Sequence, residues 1–139
     1  VSYLLFFYYR RITDKFPTKV TPSKSSTFKE VAPNEFNITY GDGSGVIGDY
    51  FNDTITIAGT TLKDFTMAVA KDVTGESVIN ALIGVSYPAL DASITGTQYP
   101  NYPQALVSAG IINTVAYSLW LDDLGIHISI IFGSSSLTI

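Results

Sequence analysis

Cysteine is absent from all 139 residues, so no thiolate nucleophile, zinc–thiolate centre or disulfide can be built from this chain. Charge is scarce: Asp, Glu, Lys and Arg make up 14% of the residues, against about a quarter in an ordinary globular domain. With apolar residues at 46%, that balance argues against disorder, which needs low hydrophobicity and high charge. It also leaves little charged surface, as in a piece of a larger protein with one face covered. Basic residues number only 8, the net charge is −4, and the one tight basic pair is Arg10-Arg11. Nucleic acid is therefore not an expected partner, because phosphate binding needs clustered Lys and Arg. Histidine occurs once, at His127, with no cysteine partner and no metal-ligand spacing, so a solvated or satisfied side chain is expected and no metal.

No apolar run reaches the roughly 20 residues needed to span a bilayer as a helix. The nearest is residues 1–9, which Arg10-Arg11 follow rather than precede, the reverse of a secretory leader. Three readings stay open for it: the tail of a signal, a buried strand, or sequence foreign to the fold. There is no repeat and no low-complexity linker, and the length suits one domain.

What is present is strand pattern. Phe36, Ile38 and Tyr40 alternate with polar residues, Gly41-Asp42-Gly43-Ser44-Gly45 turns the chain, and residues 46–50 return, which predicts a β-hairpin. Residues 53–57 alternate and are β-branched. Residues 62–70 follow a turn at 58–61 and set Phe65, Met67 and Val69 on one face. The apolar run 78–85 reads as a strand buried on both sides. Residues 87–103, rich in Tyr, Gly and Pro, read as loop, and 103–110 as a short helix with Pro in its first turn and Gly at its end. Residues 116–121 and 126–132 are the last strands, joined by a turn at Asp122-Asp123-Leu124-Gly125. Adjacent Asp122 and Asp123 would point to opposite faces of a strand, so a turn is expected there and not an acid–base pair.

Several segments, in order, resemble one family. Pro22-Ser23-Lys24-Ser25-Ser26-Thr27-Phe28 resembles its Pro-x-x-Ser-Ser-Thr-Phe. Tyr40-Gly41-Asp42-Gly43-Ser44 is similar to its Tyr-Gly-(Asp/Thr)-Gly-Ser, and residues 48–54, ending Asp53-Thr54, to its Gly-x-x-x-x-Asp-Thr. Residues 80–88 resemble Asp-Gly-Ile-Leu-Gly-Leu-Ala-Tyr-Pro, with Asn80 and Ala81 replacing the first two. Residues 99–106, 116–121 and 130–133 add further matches. The family is the pepsin-like aspartic endopeptidases, of the fungal secreted or surface-anchored, yapsin-like kind.

The resemblance implies a mainly β fold: an incomplete N-terminal lobe of the pepsin-like double-β-barrel (acid protease) fold with one or two short helices. Residues 20–133 would form the partial lobe, with 1–19 and 134–139 unmatched. In the family the Tyr40–Ser44 counterpart is the flap, which folds over an extended peptide. Tyr40 would then cover the cleft, Gly41 and Gly43 permit the turn, and Asp42 and Ser44 belong to the peptide-binding tip. Taken alone, the same five residues are an ordinary hairpin turn. Leu82 would line an apolar subsite or pack in the core. Asn37-Ile38-Thr39 and Asn52-Asp53-Thr54 are N-glycosylation acceptors if the chain is secreted, which the resemblance places outside the cell or at its surface.

The family's chemistry uses no cofactor. Two carboxylates a few ångströms apart share a proton and activate a water, each carried in an Asp-(Thr/Ser)-Gly triplet, one per lobe. This sequence contains neither triplet, so no catalytic residue is assigned and the chain alone is expected to be inactive. The partners implied are an extended peptide or protein substrate and the missing second lobe. Three origins fit: a truncated gene product, a segment of a complete protease, or a non-catalytic peptide-binding module that kept the flap. Exposed sheet edges predict marginal stability or aggregation of the isolated chain.

Overall fold

A computed structural model describes residues 6–7, 24–75, 81–91, 93–121 and 128–133. The turn at Asp122–Gly125, His127, the Arg10-Arg11 pair, residues 78–80, and all of 1–9 except Phe6–Phe7 lie outside them.

The main sheet has five strands: β1 (Phe6–Phe7), β2 (Lys29–Thr39), β3 (Gly45–Ile57), β4 (Thr60–Thr74) and β5 (Ala81–Leu82), in the order β2-β3-β4-β1-β5. Long antiparallel ladders join β2 to β3 and β3 to β4. β1 lies parallel to β4 and antiparallel to β5. Of the three readings of the N-terminal apolar run, its described pair of residues follows the strand reading.

The two expected strands at 46–50 and 53–57 are one continuous strand. Nothing between Tyr50 and Asp53 forms a turn, and a register shift between Asp53 and Ile55 absorbs the irregularity. A second shift falls at Ile47/Gly48, where the backbones of β3 and β4 crowd. A Cβ on Gly48 would sit 2.0 Å from the Val69 carbonyl oxygen, so only glycine fits. The expected strand at 78–85 is shorter as described. Among the described residues its ladder covers Ala81 and Leu82, paired with Phe7 and Phe6.

Alternation along β3 and β4 sends neighbouring side chains to opposite faces, and both faces are covered. Phe51, Leu62, Phe65 and Met67 join Tyr102, Leu106, Ile112 and Phe132 in one core. Ala32, Phe36, Val46, Tyr50 and Ala68 form the other. Phe65 and Met67 share a face as expected, and Val69 packs against the same core.

The helix α1 (Tyr102–Ser108) starts one residue before the expected Pro103. Asn101 caps it: its side chain accepts from the Gln104 N–H at 3.0 Å, while Gln104 Oε1 accepts from the Asn101 N–H at 3.0 Å. Gly110, at φ +71°, ends it. β6 (Tyr117–Leu121) and β7 (Ile128–Phe132) form a separate two-stranded sheet. Phe132 anchors that hairpin, meeting Tyr102 edge-on at 5.3 Å between ring centroids.

Candidate functional site

The β2–β3 hairpin ends in a closed tip. Thr39 pairs with Gly45, the Tyr40 N–H donates to the Ser44 carbonyl at 2.8 Å, and the Gly43 N–H donates to the Tyr40 carbonyl at 3.0 Å. Tyr40 to Gly43 is thus a β-turn whose last residue, Gly43, lies in the left-handed region at φ +82°. Asp42 locks it. Its Oδ1 accepts from the Ser44 N–H at 2.9 Å and from Ser44 Oγ at 2.6 Å. These bonds, the side-chain one foremost, hold the Asp42 carboxyl below its ordinary range. Ser44 is buried, whereas Gly41, Asp42 and Gly43 are exposed.

The two glycines are not equivalent. Gly43 needs its positive φ. Gly41 has none, and a Cβ there would meet nothing within 4 Å. Neither backbone conformation nor packing within the described residues requires glycine at 41.

Tyr40 and Leu82, 42 positions apart, both pack against the core cluster built on Phe36 and Tyr50. The fold brings the hairpin tip's tyrosine and the β5 leucine to one side of the sheet. Leu82 is half-buried, and β5 pairs it with Phe6.

Two supports of the hairpin escape sequence reading. Asp49, buried on β3, pairs with Lys71 Nζ at 2.8 Å and accepts from the Asn34 N–H at 2.7 Å. It braces the β2 bulge, where Asn34 adopts φ +59°. The Tyr50 hydroxyl donates to Asp91, which also accepts from the Tyr99 N–H at 3.2 Å. Burial and then that bond push the Tyr50 phenol far up. The strand pattern marks Asp49 as a polar residue in an apolar run, the only signal it gives.

The Ser-Ser-Thr and Asp-Thr motifs meet in space. Asp53 accepts from Ser25 Oγ at 2.8 Å, from Thr27 Oγ1, and from the Thr54 N–H at 2.7 Å. Burial raises the Asp53 carboxyl, but the three bonds outweigh it and hold the group low. Phe28 then stacks on Phe51 at 4.9 Å. Of the two glycan acceptors, Asn37 is exposed. Asn52 is half-buried, with Nδ2 donating to Asp64 at 3.0 Å and Oδ1 accepting from Thr66 at 2.9 Å. Among the described residues no three His, Cys, Asp or Glu side chains gather to hold a metal. No helix there is long and apolar enough to cross a membrane.

This two-faced sheet with a locked hairpin tip is the fold of a pepsin-type lobe. It superposes on the aspartic proteinase of Irpex lacteus with a TM-score of 0.72 at 19% identity, covering 96% of this chain and 38% of that one. The family described as eukaryotic aspartyl protease matches residues 11–137, and the chain belongs to that family. It is 49% identical over 105 residues to a probable aspartic-type endopeptidase, OPSB, of Arthroderma benhamiae, covering 73% of this chain and 21% of that protein. It is 34% identical over 112 residues to secreted aspartic protease 9 of Candida albicans, covering 79% and 20%. The chain thus spans about a fifth of the length of these relatives.

Proposed function

We propose that this chain supplies the flap-bearing wall of the substrate cleft of a fungal aspartic-type endopeptidase and hydrolyses no peptide by itself. The observation that carries the first half is the Tyr40–Ser44 tip: a turn locked from within by Asp42, beside a tyrosine seated on the same core cluster as Leu82. Such a tip presents backbone groups in a fixed arrangement that an extended peptide can pair with, strand to strand. Gly41, with open space where a Cβ would point, leaves room for a peptide to approach closely. Tyr40 closes over the peptide and excludes water. Leu82 offers an apolar contact beneath it.

The second half rests on chemistry. Water activation needs a carboxylate pair sharing a proton, and neither Asp-Thr-Gly nor Asp-Ser-Gly occurs in the 139 residues. The second lobe and a peptide or protein substrate are the partners, and the working place is outside the cell or at its surface, in keeping with the relative named as secreted.

The test uses the purified chain at acid pH with a mixed peptide substrate. No cleavage is expected, whereas cleavage blocked by a pepstatin-like inhibitor would overturn the inactive assignment. Calorimetry with the same inhibitor is expected to show no tight binding by the chain alone. Tight binding would make it a stand-alone peptide-binding module.

A further inference from the structure

We infer that Asn37 is an N-glycan acceptor whose first sugar lies in a groove on the outer face of the flap hairpin, and that Asn52 does not carry a glycan in the folded chain. The inference rests on the secretory reading above, since the transfer needs a lipid-pyrophosphate-linked oligosaccharide. In that step the Asn Nδ2–C1 bond forms, the C1–O bond to pyrophosphate breaks, the lipid pyrophosphate leaves, and the amide gives up one proton.

The ladder places Asn37 opposite Ile47, and Ile47 opposite Asp72, in one row across β2, β3 and β4. Residues paired directly across antiparallel strands share a face. All three are exposed, Ile47 to 44%. The next row is Thr39, Gly45 and Thr74. Together the two rows line a groove of about 200 Å³. Gly45 forms its floor, where a Cβ would sit tightly, 3.1 Å from both Thr74 Oγ1 and the Ile38 carbonyl. The Asn37 side chain has no hydrogen-bond partner among the described residues, so its amide is available. A pyranose has an apolar face and a polar rim. Ile47 offers the apolar contact, and Thr39, Thr74 and the Asp72 carboxylate offer hydrogen bonds to hydroxyl and N-acetyl groups. The sugar covers an apolar side chain that otherwise faces water.

Asn52 lies between two partner strands, and both ends of its amide are used. A glycan there replaces one of the two Nδ2 protons and must leave past Asp64, which crowds that bond and the packing between the strands, so a chain modified at 52 folds less well.

The experiment is secretion of the full 139-residue chain from a yeast behind a supplied leader. Sites are then mapped by enzymatic deglycosylation in heavy-oxygen water and peptide mass spectrometry. The expected result is occupancy at Asn37 several-fold above that at Asn52. An empty Asn37, or Asn52 occupied as fully, overturns the inference. Translation into microsomes reads occupancy of Asn37 even if the chain is retained, and there too an empty Asn37 overturns it. Because the leader is supplied, the result is independent of where the natural protein travels. The groove is tested separately by the rate of proteolysis within 36–50. Removing the glycan is expected to speed cutting in the parent chain and to make no difference in Ile47→Ser. Equal cutting before and after removal in the parent, or equal acceleration in both chains, overturns the placement of the sugar.

Discussion

Gly41 and Gly43 stand two residues apart in one motif, yet different physics keeps each of them. At φ +82° a side chain on Gly43 costs about 1–2 kcal/mol, so Gly43→Ala should lower stability by roughly that amount in denaturant unfolding. Gly41→Ala should leave stability within about 0.5 kcal/mol, while in a complete enzyme it should raise KM by crowding the peptide. A large loss of stability in Gly41→Ala would mean that the turn, not a ligand, requires glycine there. The Tyr102 hydroxyl is buried and has no hydrogen-bond partner among the described residues, and burial raises its pKa. Tyr102→Phe should therefore be neutral or stabilising, by up to about 1–2 kcal/mol in the same unfolding assay. The motif letters of the hairpin tip were legible in sequence. The orphaned hydroxyl was not, because satisfaction of a polar atom depends on neighbours from distant elements.

A few polar ties add to the sheet in joining the elements. Asp53 gathers Ser25, Thr27 and the Thr54 amide, which pins the segment before β2 to the middle of β3. Its carboxyl, like that of Asp42, is held below the ordinary value of 3.8. Lowered folded pKa values mean that the stabilisation is complete above that value and is lost as pH falls through the depressed one. Protection of the Ser44 and Thr54 amides, taken relative to their intrinsic exchange rates, should fall on acidification only below pH 3.8, and in Asp53→Asn the Thr54 amide should be less protected above that value, with the difference closing below it. An onset of lost protection well above that value would show that other groups hold these segments. Phe132 ties the β6–β7 hairpin to α1 through Tyr102 and is fully buried, so Phe132→Ala should cost about 3–5 kcal/mol. The elements themselves were readable from alternation and turn residues. Their joins were not: β3 runs on through Asp53 because a bulge, rather than a turn, absorbs the break in pattern.

At the scale of the whole molecule, large apolar side chains at the start of β6 and just before it face solvent. Val115, Tyr117 and Leu119 are each more than half exposed, and a two-stranded sheet is seldom stable alone. The isolated chain should therefore associate as its concentration rises, and Leu119→Lys should shift sedimentation towards the monomer. A chain that stays monomeric at high concentration without the substitution would argue that this surface needs no cover.

The sequence by itself determined the strand content, the hairpin at Tyr40–Ser44 and the family, because alternation, glycine-rich turns and ordered motifs are local signals. It also determined that no Asp-Thr/Ser-Gly triplet is available in these residues. Only the tertiary structure decided which parts meet: Tyr40 with Leu82 on one core cluster, Ser25 and Thr27 on Asp53, and Asn37 beside Ile47 while Asn52 is engaged by Thr66 and Asp64. Those pairings depend on strand register and on bulges, and a one-residue slip would turn every side chain of a strand to its opposite face.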